Sequence, residues 1–129
     1  MKYEVDKQER YTVMTLLDAN INSLVAPDLK SEFVVVSNEG VKNLIIDLSA
    51  VEYIDSSGLS AILTANRVFK ANGGTLVVTG AQQPAVKKLI EISRLETVIN
   101  IVPTVQESID FVAMDELERD LKGSDPADN

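Results

Sequence analysis

The chain contains no cysteine and no histidine. Without cysteine there is no disulfide, no zinc–thiolate site and no thiol nucleophile. Without histidine there is no imidazole base, no Ser–His–Asp triad and no two-histidine metal site, which closes many hydrolase and metalloenzyme mechanisms. A serine nucleophile here would need a lysine as its base. Long hydrophobic runs are missing too: the start, MKYEVDKQERYTV, has no uninterrupted apolar segment behind its charges. No later run approaches the roughly 20 apolar residues of a membrane span. No membrane span and a cytoplasmic location are therefore the expectation. Nor is there an excess of positive charge. Twelve basic residues face twenty acidic ones, a net charge of −8, which disfavours direct nucleic-acid binding through phosphate attraction.

What is present suits one compact domain: 129 residues, 45% hydrophobic and 25% charged. Residues 115–129, DELERDLKGSDPADN, carry six acids and two bases and hold half of the net charge. The reading is a domain over residues 1–114, followed by an acidic helix end and, beyond Lys122, a disordered polar tail.

YEVDK and YTVMTLL read as two strands forming an antiparallel pair. In the segment that follows, Pro27 suits a first helical turn, and Leu29, Phe33, Val34 and Val36 suit one buried face ending near Gly40. The β-branched Val34-Val35-Val36 opposes helix only weakly. NLIIDLS and TLVVTG are continuous apolar runs, as expected of parallel strands buried on both faces. Between them Leu59, Ile62, Leu63 and Phe69 recur at helical spacing, with ANGG as a stop. QQPAVKKLIEIS repeats the helix pattern, with Val86, Leu89 and Ile90 inward, and TVINIV is a last short strand. In the closing helix Val105, Ile109 and Val112 share a side, with Thr104 and Glu107 spaced as a capping box. Strict alternation after the opening pair predicts an α/β fold: a mostly parallel sheet of about five strands with an N-terminal antiparallel strand, covered by about four helices.

The stretch VEYIDSSGLSAIL places Asp55, Ser56, Ser57 and Gly58 at a strand-to-helix corner. In open α/β sheets, sites lie beyond the carboxyl ends of the strands. Capping alone accounts for every residue there, since Asp and Ser are the usual N-caps. Asp47, within an apolar strand, suits a hydrogen-bonded structural role, and Arg67, Lys70, Lys87 and Lys88 suit solvated helix faces.

Taken whole, IIDLSAVEYIDSSGLSAI resembles the signature of the STAS domain family, which contains the bacterial anti-sigma-factor antagonists. LLDANINSLVAPDLK, NGGTLVVTG and PAVKKLIEISRLETVINIVPTVQESI are similar to further family segments in register. The chain departs from the family in lacking the glycine usual before the Leu-Asp turn, where it has TLLDAN. The resemblance implies a single STAS domain in which the serine after the aspartate, Ser56, is a phosphoacceptor. It also implies a partner: an anti-sigma factor that is at once a serine kinase with a histidine-kinase-like ATPase fold. The unmodified chain would bind that partner and release a sigma factor. Phosphorylation of Ser56 would end binding, and a PP2C-type phosphatase would reverse it. Asp18, Asp55, Ser57, Gly58 and Leu59 are the expected partner-binding residues.

In this scheme the chain is a substrate and ligand: no enzyme, no catalytic residue, no metal and no cofactor. A phosphate-binding GxxxxGK[ST] loop and a GxSxG nucleophile elbow are both absent. The alternative within the same family is a constitutive docking subunit of a transporter or signalling complex. Gly58 is offered two roles, close approach by a partner or tight internal packing, and Asp55 two others, capping the helix or orienting Ser56 for transfer.

Overall fold

A computed structural model describes residues 1–124 of the chain. Strands β1 (Tyr3–Lys7) and β2 (Thr12–Leu16) open it, and the two-residue β3 (Asn20–Ile21) precedes α1 (Ala26–Asn38). Strand β4 (Asn43–Asp47), the short β5 (Tyr53–Ile54) and helix α2 (Ser56–Ala71) follow. Strand β6 (Thr75–Thr79), α3 (Pro84–Ser93), a 3-10 turn at Leu95–Thr97, β7 (Asn100–Val102) and α4 (Val105–Ser124) complete it.

The main sheet has the order β1-β2-β4-β6-β7, with β1 antiparallel to β2 and every other neighbour parallel. This is the expected architecture, four helices included. The continuous apolar runs have the physical reason assigned to them. In β4, Leu44 and Ile46 enter one buried cluster while Ile45 enters a second on the opposite face. In β6, Leu76 and Val78 join the first cluster and Val77 the second. Period-two alternation therefore exists, but both faces are apolar because both are covered. α1, α2 and α3 cover the first face through residues such as Phe33, Ile62 and Val86. Among the described helices α4 covers the second, with Val112 buried and Val105, Ile109 and Phe111 packed around it.

Helix α1 carries Pro27 in its first turn and accommodates all three consecutive valines. Its buried side differs from the expectation at one position. Leu29, Phe33 and Val36 are buried, whereas Val34 is 43% exposed. At 100° per residue, Val34 is rotated off the stripe that its neighbour Phe33 occupies. Helix α2 stops at ANGG, where Gly73 takes a φ of +75°. At the head of α4, Thr104 Oγ1 accepts from the Glu107 amide at 3.1 Å. The return bond of a full capping box, from the Thr104 amide to Glu107, is not made among the described residues. Asp47 has the structural role expected of it, its Oδ1 accepting from the Ser49 amide at 2.9 Å.

Past Met114, α4 does not lift away from the body. Asp115 accepts from the Thr75 hydroxyl, Glu116 accepts from Asn43 at 2.9 Å and Arg10 at 3.0 Å, and Arg119 donates to the Asn43 side chain and the Gly73 carbonyl. The expected disordered tail falls chiefly outside the described residues. No helix among these is long and apolar enough to cross a membrane.

Candidate functional site

The corner after β5 is built by a ribbon that periodicity alone does not reveal. β3 and β5 pair in parallel, Asn20 with Tyr53 and Ile21 with Ile54, apart from the main sheet. The Ala19 carbonyl accepts from the amides of Glu52 and Tyr53 at 2.9 and 3.0 Å, and the Ile21 carbonyl accepts from the Asp55 amide at 3.1 Å. Two-residue strands are too short to carry a pattern, so VEYI read on its own merely extends the preceding run. Its actual role is to fasten the loop after β2 to the loop after β4, at the carboxyl ends of two adjacent parallel strands.

Asp55 is the N-cap of α2. Its backbone is extended, at φ −104° and ψ −175°, and its Oδ1 accepts from the Gly58 amide at 3.0 Å. Caps of this kind contribute about 1 kcal/mol. Capping is thus what the carboxylate is observed to do. Gly58 is enclosed: a Cβ on it would lie 2.6 Å from Ile54 Cγ1 and 2.7 Å from the Ile21 carbonyl oxygen. The glycine lets the first turn of α2 sit directly on the ribbon. Leu59 is also inward, 6% exposed and part of the main core.

Ser56 differs from these neighbours. It is exposed, the first residue of α2, and its hydroxyl makes no hydrogen bond to another described residue. Ser57 is half-buried and its hydroxyl is likewise unengaged. The corner thus presents a free alcohol on a capped helix start, with the positive end of the helix dipole behind it. Asp18 lies at the same end of the sheet, one residue before the Ala19 carbonyl that holds the ribbon. Its carboxylate accepts from the Lys2 amide at 2.9 Å, so it also ties the loop to the N-terminal strand.

The structure adds neighbours that the sequence does not single out. A groove of about 370 Å³ runs between the starts of α1 and α2, and Ser23, Lys30 and Ser60 line it together with Ser56 and Ser57. Leu24, 85% exposed, precedes α1, and Tyr53, 52% exposed, lies on β5. None of these belongs to the DSSG stretch, and no spacing rule connects Lys30 to Ser56; only the packing of α1 on α2 brings them together. A larger cavity of about 640 Å³ lies at the opposite end, around Arg10, Asn43, Glu116 and Arg119. There Arg10 pairs with Glu116 and Arg119 donates to the Asn43 side chain, which makes this end the anchor of α4. Among the described residues no group of three or more acids is placed to hold a metal ion.

Fold and corner together define a small α/β domain with a capped, hydroxyl-bearing turn at the carboxyl end of its parallel strands. The chain belongs to the STAS domain family, whose sequence model matches residues 2–108. It is similar to the putative anti-sigma factor antagonist BtrV of Bordetella bronchiseptica, 29% identical over 93 residues, 72% of this chain and 78% of that one. It is 28% identical over 102 residues to the anti-sigma-B factor antagonist of Bacillus subtilis, covering 78% of this chain and 92% of the other. Among solved structures, an anti-sigma factor antagonist from Mycobacterium paratuberculosis superposes with a TM-score of 0.77 at 25% identity. That match covers 87% of this chain and 93% of the other.

Proposed function

We propose that this chain is an anti-sigma-factor antagonist switched by phosphorylation of Ser56. Its unmodified form binds an anti-sigma factor that is also a serine kinase of the histidine-kinase-like ATPase fold, and binding frees a sigma factor in the cytoplasm. The kinase transfers the γ-phosphoryl group of ATP to Ser56. A P–O bond forms to Oγ, the bond to the β-phosphate oxygen breaks, ADP leaves, and the hydroxyl proton passes to a base of the kinase or to water. A PP2C-type phosphatase hydrolyses the ester and restores the binding form. The chain is substrate and ligand in this cycle and catalyses none of it.

One observation carries the reading: within a family member with antagonist relatives, the serine after the cap aspartate is exposed, unengaged and placed at the start of a capped helix. Ser56 and Ser57 are the polar contacts offered to the partner, with Asp18 on the same rim. Asp55, Gly58 and Leu59 act from beneath, holding the shape of the corner.

The size of the switch follows from charge. A phosphate brings about −1.5 to −2 charges, and an unpaired charge buried at an interface costs several kcal/mol. Each 1.4 kcal/mol is tenfold in affinity, so phosphorylation should weaken the complex by about 100-fold or more. The test incubates the protein with ATP, Mg²⁺ and a candidate kinase of this fold encoded beside it. Phosphate is mapped by mass spectrometry, with Ser56→Ala as control. Stoichiometric phosphate on Ser56, lost in the variant, together with weakened binding, is the expected result. A stable complex without any phosphate would overturn the switch and leave a constitutive docking subunit.

A further inference from the structure

The groove beside Ser56 has an unusual lining for so acidic a chain. Twenty carboxylate side chains occur in the sequence, yet among the described residues none lines this groove. Four hydroxyls do, from Ser23, Ser56, Ser57 and Ser60, along with one charge, the ammonium of Lys30. Hydroxyl donors around a single cation suit an anion rather than a metal or an apolar ligand.

Lys30 is itself exceptional. Of the eight lysines it alone is half-buried, and the other seven are exposed. It makes no hydrogen bond or ion pair with any described residue. Lys7, by contrast, is exposed and paired with Glu39 at 2.8 Å. An ammonium without a counter-charge, set among four hydroxyls, is a site that a matching anion would fill. On the proposed function, the anion that arises in this groove is the phosphate on Ser56.

We infer that Lys30 is the intramolecular counter-ion of the phosphate on Ser56. This rests on the reading that Ser56 is phosphorylated. The phosphoseryl group lies in the groove between α1 and α2, paired with the Lys30 ammonium and accepting from the hydroxyls of Ser57 and Ser60. Part of its charge is neutralised within the molecule, so the modified protein keeps its fold while the hydroxyl offered to the partner is gone. Lys30 is a positioning residue in this scheme. It touches the product of modification and plays no part in the transfer.

The experiment uses full-length protein with phosphoserine installed at position 56 during synthesis, so that no kinase is needed. The second ionisation of the phosphate, near pH 6 in a free phosphoserine, is followed by ³¹P NMR. A paired ammonium favours the dianion, so Lys30→Met should raise this pKa by about half a unit, roughly threefold in the dissociation constant. Lys30→Arg should restore the parent titration. Lys70→Met, which removes an exposed lysine from the last turn of α2, should leave it unchanged. Asp28 in the first turn of α1 and Asp55 at the cap are present in every variant, so their opposing effect cancels. Titration of Lys30→Met identical to the parent would overturn the inference, as would an equal shift in Lys70→Met. Failure of a kinase to modify Ser56 would instead show in the separate mass-spectrometric test.

Discussion

Gly58 and Ser56 sit two positions apart on one helical turn and serve opposite ends. Ser56 is turned to solvent, while Gly58 meets the ribbon so closely that any side chain would overlap Ile21 and Ile54. Of the two roles offered for Gly58 by its residue type, the distances show the packing one. Gly58→Val should therefore destabilise the domain by about 1–3 kcal/mol or more, as overpacked cores do. Urea denaturation would show a lowered midpoint. An unchanged midpoint would mean that the ribbon moves away at little cost. At this scale the residue types of the corner were legible, because Asp, Ser and Gly have few uses at a helix start. Lys30 was not legible, because nothing in a lysine's own neighbours announces what a different helix will bring beside it.

Two elements gain their places from contacts made far along the chain. Edge strand β1 is joined to α1 by the Tyr3 hydroxyl, which donates to Glu32 at 2.5 Å. That bond, then burial, then the charges of Glu32 and Glu39 raise the Tyr3 pKa above its usual value. The folded protein thus holds the phenolic proton at a pH where the unfolded chain has released it. The stabilisation is fully present below about pH 10, the ordinary tyrosine value, and is lost as pH rises through the raised folded pKa. Tyr3→Phe should flatten the alkaline decline in stability, measurable as urea midpoints across that range.

Helix α4 makes the second case. A composition shift marks residue 115 in the sequence, and in the structure Asp115, Glu116 and Arg119 tie the later turns to β4, β6 and the loops beside them. Ending the chain after Met114 should cost about 2 kcal/mol or more, since hydrogen bonds to charged groups are among the stronger ones. Equal stability of the shortened and full chains would make the acidic end a mere appendage. Charge content is a poor guide here, because a side chain on a helix that covers a sheet end can be both charged and structural.

For the molecule as a whole, the phosphate and the fold should be nearly independent. The corner lies at the rim, where a charge faces water and helix-dipole effects are about 0.3–2 kcal/mol. Repulsion from Asp55 is of the order of 1 kcal/mol in solvent. Protein carrying phosphoserine at position 56 should therefore unfold within about 1 kcal/mol of the unmodified protein, while partner binding falls by about 100-fold, several kcal/mol at an interface being worth that much. Calorimetry of both forms checks the first half and titration with the partner the second. A large loss of stability would make the device a folding switch.

The α/β order, the parallel strands, the capped corner and the family were all legible from the residues alone. Those depend on period, run length and residue type within a few positions of one another, and such local signals survive in one dimension. It took the folded chain to show that β3 and β5 form their own ribbon, that Val34 turns outward, that Gly58 is a packing glycine, that α4 is anchored through its later turns and that Lys30 shares a groove with Ser56. Each depends on which distant segments are brought within a few ångströms. That proximity is set by the joint packing of helices on both faces of the sheet, and no single segment encodes it.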